Sequence, residues 1–201
     1  MLSARHPGGF TLIELLVGLA LLAILLVMGA PAMGTYLHNA KLAAATGSYY
    51  TGVQMARTEA IRRNLSAQFV LTDTPLTIVN LENAAVPNLL GRSWIVRAPS
   101  PVAGVFLPVI DKKDATEGEV SIVAPSIVVT SAGPVGYTGI IAFNGFGATA
   151  DGQPYSIDIS NPAAGVCAPV GPVRCRRITI APGGQISACD PAAAAGDSRA
   201  C

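Results

Sequence analysis

Residues 15 to 33 form an uncharged run of 19, with Glu14 at its front edge and no further charge until Lys41. At about 1.5 Å of rise per residue the run matches the thickness of a bilayer's hydrocarbon core, so it predicts a membrane-length helix. Past it, Leu42, Tyr49, Val53, Ala56 and Ala60 recur at spacings of 7, 4, 3 and 4, which marks one face of a helix. Glu59 stands three and four residues before Arg62 and Arg63, where ion pairs form on a helix surface. One helix is therefore expected from Phe10 to near Asn64, with a kink at Pro31, whose missing N–H neighbouring residues can compensate. Beyond Asn64 the period becomes two, predicting strands over 67–71, 76–81, 93–97, 105–110, 119–123, 127–130, 139–143, 156–159, 176–180 and 185–188. Pro182-Gly183-Gly184 reads as the turn of a hairpin joining the last two.

Composition supports one β-rich domain on one anchor. The chain has 201 residues, 51% hydrophobic and 12% charged, and a mean hydropathy of +0.49. The roughly 165 residues outside the apolar run suffice for one core, and 21 Gly with 15 Pro favour short strands joined by turns. A net charge of +1 gives no overall field to attract nucleic acid or anionic lipid. Cys167, Cys175, Cys189 and Cys201 all lie in the last 35 residues without a CxxC pair, and the two histidines, His6 and His38, are distant in sequence. That pattern suits two disulfides in an oxidising compartment rather than a zinc site. Of three connectivities, Cys167 with Cys175 and Cys189 with Cys201 close the shortest loops, at separations of 8 and 12. Pairing Cys175 with Cys189 would clasp the last hairpin, but a turn centred between Gly183 and Gly184 places Ile178, not Cys175, opposite Cys189.

Catalytic chemistry finds little support. His6 and His38 are poorly placed for a triad, no glycine-rich phosphate loop follows a strand, and no cofactor or metal is expected. Asp111, Asp114, Glu117 and Glu119 do not have EF-hand spacing, and Lys112 and Lys113 intervene, so a solvated turn is expected there.

The amino-terminal stretch admits three readings. A secretory signal peptide would use Ala30-Pro31-Ala32 as its cleavage site, but the apolar region is too long and contains Glu14. A plain uncleaved anchor would leave Glu14 at the interface by snorkelling. Third, Gly9-Phe10-Thr11-Leu12-Ile13-Glu14 resembles the processing site of type IV prepilins and of the pseudopilins of type II secretion. The resemblance implies that a prepilin peptidase cuts after Gly9 and methylates the new amino terminus on Phe10. The amine on Phe10 then gives Glu14 a partner, on its own chain or on a neighbouring subunit during assembly, and the start of a helix also favours a carboxylate.

"MARTEAIRRN" at 55–64, "GRSWIV" at 91–96, the acidic turn before "GEV" and the closing "CRRITIAPGGQISACDP" resemble the GspH/FimT family of minor pilins and pseudopilins. The resemblance implies an α+β, pilin-like fold: one long N-terminal helix, half membrane and half amphipathic, packed on a twisted antiparallel β-sheet domain. It divides the chain into a cleaved leader, 1–9, a transmembrane or filament-core half-helix, 10–33, an amphipathic half, 34–64, and a β-rich domain, 65–201. The implied role is a minor pilin that assembles or primes a type IV pilus, with other pilins as partners, stored in the bacterial inner membrane with its C-terminal domain in the periplasm. A type II secretion pseudopilin is the alternative. Some relatives bind DNA through Gly-Arg-x-Arg in the closing hairpin, where this chain has Gly184-Gln185-Ile186-Ser187. Only Arg174, Arg176 and Arg177 remain as DNA contacts; adjacent strand residues face opposite sides, so binding would be weak and salt-sensitive.

Overall fold

The computed structural model describes residues 11–100, 102, 104–114 and 127–201, with the side chains of 27–32 outside that description. The strand expected over 119–123 lies outside the described residues, as does the Pro31 side chain. The chain divides into two compact units, Met1–Leu37 and His38–Cys201. Helix α1, Leu12–Arg63, starts in the first and ends in the second.

In the second unit, Leu42, Tyr49, Val53, Ala56 and Ala60 are all buried, so the periodic face is the face the helix packs with. Gly52 belongs to it as well: a Cβ there would lie 2.8 Å from Phe69 Cε2 and 3.0 Å from the Trp94 ring. The Phe69 and Trp94 rings pack at 5.7 Å, and the Trp94 indole N–H donates to Ser48 Oγ at 3.2 Å. The helix ends in a Schellman motif. Asn64 takes the left-handed conformation (φ 51°), its N–H bonds the carbonyl of Ile61, and the N–H of Leu65 bonds that of Ala60. Glu59 accepts from Arg62 at 2.7 and 3.0 Å and from Arg63 at 2.9 Å in the same last turns.

Among the described residues, two antiparallel four-stranded sheets follow. The strands are β1 (Ala67–Thr72), β2 (Ser93–Arg97), β3 (Asp111–Lys113), β4 (Val128–Ala132), β5 (Ile140–Phe143), β6 (Tyr155–Ser160), β7 (Arg176–Ile180) and β8 (Ile186–Cys189). Their orders are β3-β2-β1-β5 and β4-β6-β7-β8. Phe69, Trp94, Ile141, Ile157, Ile178 and Ile180 from both sheets join the helix face in one core cluster, each large side chain contributing about 1.5–3 kcal/mol by leaving water. Burial on both faces makes β1 nearly continuous in apolar residues: its other face, with Val70 beside Ile95 of β2, is covered by Leu76, Leu81 and Ala85.

Three sequence expectations need correction. Residues 76–81 are not a strand. They lead into a one-turn helix, α2 (Leu81–Ala84), preceded by Asn80 at φ 56°, with Leu76 and Leu81 buried and Val79 exposed. Residues 105–110 pair only irregularly with β2, through Leu107 N–H to Ala98 and Ile110 N–H to Val96; Pro108 has no N–H to extend a ladder. The regular pairing falls instead on Asp111–Lys113, so the expected solvated turn begins as edge strand β3. Lastly, Arg177 rather than Ile178 lies opposite Cys189. The turn is Pro182–Gly184 as expected, but it is centred on Gly183: Gly184 N–H bonds the Ala181 carbonyl, and Gly184 occupies the left-handed region at φ 78° as a bulge residue.

Candidate functional site

The amino-terminal site begins at Thr11, since Gly9 and Phe10 lie outside the described residues. Thr11 caps α1: its hydroxyl accepts the Glu14 N–H at 3.3 Å and its carbonyl the Leu15 N–H at 3.2 Å. Thr-x-x-Glu is the capping-box spacing, so Glu14 sits at the third helical position, where the helix dipole favours a carboxylate. Every residue from 12 to 26 is exposed within its own unit, Leu12 at 78% and Leu25 at 67%. A helix that is apolar all round has no water-facing side of its own. Among the described residues no helix is long and apolar enough to cross a membrane; the uncharged run continues through 27–32, whose side chains are outside the description.

The three candidate cations do not converge. Arg176 lines a groove of about 400 Å³ with Thr46, Tyr50 and Ala188, its guanidinium 4.0 Å from Asp190. Arg177 points to the other side of β7, where Asp158 on β6 holds it through two bonds of 2.6 and 3.1 Å and raises its pKa. It lines a second groove, of about 640 Å³, with Ser156, Thr179 and Ser187. Arg174 is exposed.

Cys167 bonds Cys175, with Cα atoms 5.5 Å apart, and Cys189 bonds Cys201, at 5.1 Å. The first closes a loop tied to α1 by Asn39; the second returns the tail to the end of β8, where Asp190 N–H bonds the Arg199 carbonyl.

Sequence reasoning missed Arg97, an arginine that is only 4% exposed. Gln68 Oε1 and the Glu82 carbonyl accept from it and the Phe106 ring lies 3.7 Å below its guanidinium. Burial lowers its pKa. A run of alternating strand residues carries no signal that one of its charges turns inward.

Residues 5–30 match the family model described as the prokaryotic N-terminal methylation motif. No curated protein matches the chain. Among solved structures, the type IV minor pilin FimU of Pseudomonas aeruginosa aligns at a TM-score of 0.50 and 13% identity, over 76% of this chain and 90% of that one. The minor pseudopilin EpsH of the Vibrio cholerae type 2 secretion system aligns at 0.48 and 9%, over 76% and 98%. The described chain therefore has the α+β fold of a minor pilin, behind an amino terminus that carries the prokaryotic N-terminal methylation motif.

Proposed function

We propose that the chain is a minor pilin, cut after Gly9 by a prepilin peptidase, N-methylated on Phe10, held in the inner membrane through 10–33 and then built into a type IV pilus beside other pilins. The observation that carries this reading is the match of residues 5–30 to the methylation motif, in a chain with FimU's fold. Glu14 has two roles in it. It belongs to the cap that starts α1, and it neutralises the amine created on Phe10, because an apolar assembly tolerates a compensated pair far better than an orphan charge.

Mass spectrometry of the native amino terminus tests the reading. The expected mass begins at methylated Phe10; an intact Met1 or a start at Met33 overturns it. Glu14→Ala should leave the chain processed but strongly reduced in sheared filaments, and normal recovery would remove Glu14 from assembly. Deleting the gene and scoring surface pili, exoprotein secretion and transformation in parallel distinguishes the pilus from a secretion pseudopilus and from DNA uptake.

A further inference from the structure

We infer that Phe146 is a docking knob for a different subunit of the same assembly, one that receives it in an apolar socket lined with carboxylates; naming the partner as a subunit rests on the minor-pilin reading. Phe146 is 91% exposed, yet the turn that carries it is braced on every side. Asn144 Oδ1 accepts the N–H of Phe146 at 3.0 Å and of Ala148 at 3.2 Å, and Gly147 N–H bonds the Asn144 carbonyl at 2.8 Å. Arg57 Nε donates to the Gly147 carbonyl at 3.0 Å. The Thr149 N–H and hydroxyl both reach the Pro182 carbonyl, at 3.0 and 3.1 Å, tying the turn to the last hairpin. The flanking glycines fit the close approach: a Cβ on Gly145 would lie 3.0 Å from the Asn64 carbonyl carbon, and Gly147 takes the left-handed conformation at φ 77°.

A turn whose backbone is already held beneath an exposed aromatic residue lowers the ordering cost that binding normally carries, and aromatic anchors dominate interface energies. Ile61, 48% exposed, and Leu65, 54% exposed, widen the apolar patch on the helix side. The surrounding charge is positive. The helix contributes Arg57, Arg62 and Arg63 against the single carboxylate of Glu59, which its bonds to Arg62 and Arg63 keep ionised. Arg62, next to Ile61 in sequence, has a side chain that is 61% exposed. Asp151, in the same loop, accepts from the Tyr155 hydroxyl at 2.6 Å. A complementary socket is thus apolar at its base and acidic at its rim. The two grooves lined by Arg176 and by Arg177 carry no carboxylate, so neither of them, on a second copy, is such a socket.

The test places p-azidophenylalanine at position 146 of the full chain in its own host, with a control at Val135, which is fully exposed. Illumination should give an adduct at 146 and not at 135, with a different, processed pilin-type chain through a peptide containing Asp or Glu. Arg62→Gln should lower the adduct yield about threefold or more at a temperature where the variant remains folded, since it also loses its bonds to Glu59, and Phe146→Ala should lower the chain's incorporation into filaments by a similar factor with Tm unchanged. An adduct only with a second copy, only with lipid, or no stronger than at Val135 overturns the inference. The amino-terminal mass is read in the same sample: a chain that still forms the acid-containing adduct while uncut at Gly9 defeats the minor-pilin reading alone and leaves the docking site standing.

Discussion

Arg174 donates its backbone N–H to Asn39 Oδ1 at 2.9 Å, across 135 residues of sequence. The Nδ2 of the same amide reaches the Pro172 carbonyl at 3.5 Å, so one helix side chain holds the loop closed by Cys167 and Cys175 at two points. Asn39→Ala should lower stability by about 1 kcal/mol, the usual net value of such bonds, and speed tryptic cleavage after Arg174. Asn39→Asp keeps the acceptor and should keep most of the resistance. Unchanged cleavage in both variants would mean the disulfide alone fixes the loop.

The two glycines of the closing hairpin should behave oppositely. A Cβ on Gly184 would lie 1.7 Å from the Gly147 carbonyl oxygen, at a φ of 78° that side chains avoid. Gly184→Ala should therefore cost about 3 kcal/mol or more, combining backbone strain with a displaced loop. A Cβ on Gly183 would meet nothing within 4 Å beyond its own chain neighbours, and Gly183→Ala should stay within about 0.5 kcal/mol of the parent. Equal Tm values for the two variants would contradict the contact with Gly147.

Acid should weaken the end of α1. Arg62 and Arg63 hold the Glu59 carboxyl below its ordinary pKa of 4.5. Because the folded value is depressed, this contribution is complete above the unfolded pKa and disappears as pH falls through the folded one. The difference in stability between parent and Glu59→Gln should be about 1 kcal/mol at pH 7 and shrink below about pH 4.5. Denaturant titrations at pH 7 and pH 3 measure it; a difference that grows toward acid would reverse the assignment.

Each disulfide should stabilise by about 2–3 kcal/mol through the loop it closes. Cys201→Ser with Cys189→Ser should release the tail beyond Asp190 to carboxypeptidase while the β7–β8 ladder persists. The pair Cys167→Ser with Cys175→Ser should instead expose the loop at Asn39. Tail release by either pair without distinction would show that the two loops are coupled.

The helix was legible because apolar residues recur on one face over about five turns: the five periodic positions from Leu42 to Ala60 are buried. Strands β2 and β7 were legible to the residue for a similar reason, having β-branched or aromatic residues bounded by turns. The stretch at 76–81 misled because Thr77, Ile78 and Val79 carry high β-propensity, yet β1 is already paired on both sides, by β2 and β5, and this segment is used to cover its back. The hairpin register slipped by one because sequence spacing does not reveal that Gly184 sits in the left-handed region as a bulge residue, which centres the turn on Gly183. Of the candidate site, the Thr11–Glu14 cap is a local pattern within four residues. The display of Phe146 depends on Arg57 and Pro182, which only tertiary structure brings together.

The order of elements along the chain has a consequence for biosynthesis. Val53 on α1 and Ile178 on β7 belong to one core cluster, yet 125 residues separate them in sequence. At about 10 residues per second of translation, the helix face emerges roughly ten seconds before the strands that will cover it. During that interval Leu42, Tyr49 and Val53 form a naked oily stripe on a growing chain. Newly made protein should therefore depend on chaperones or on the translocation machinery for shelter until the last hairpin arrives, and truncations upstream of β7 should be cleared by proteolysis rather than accumulate.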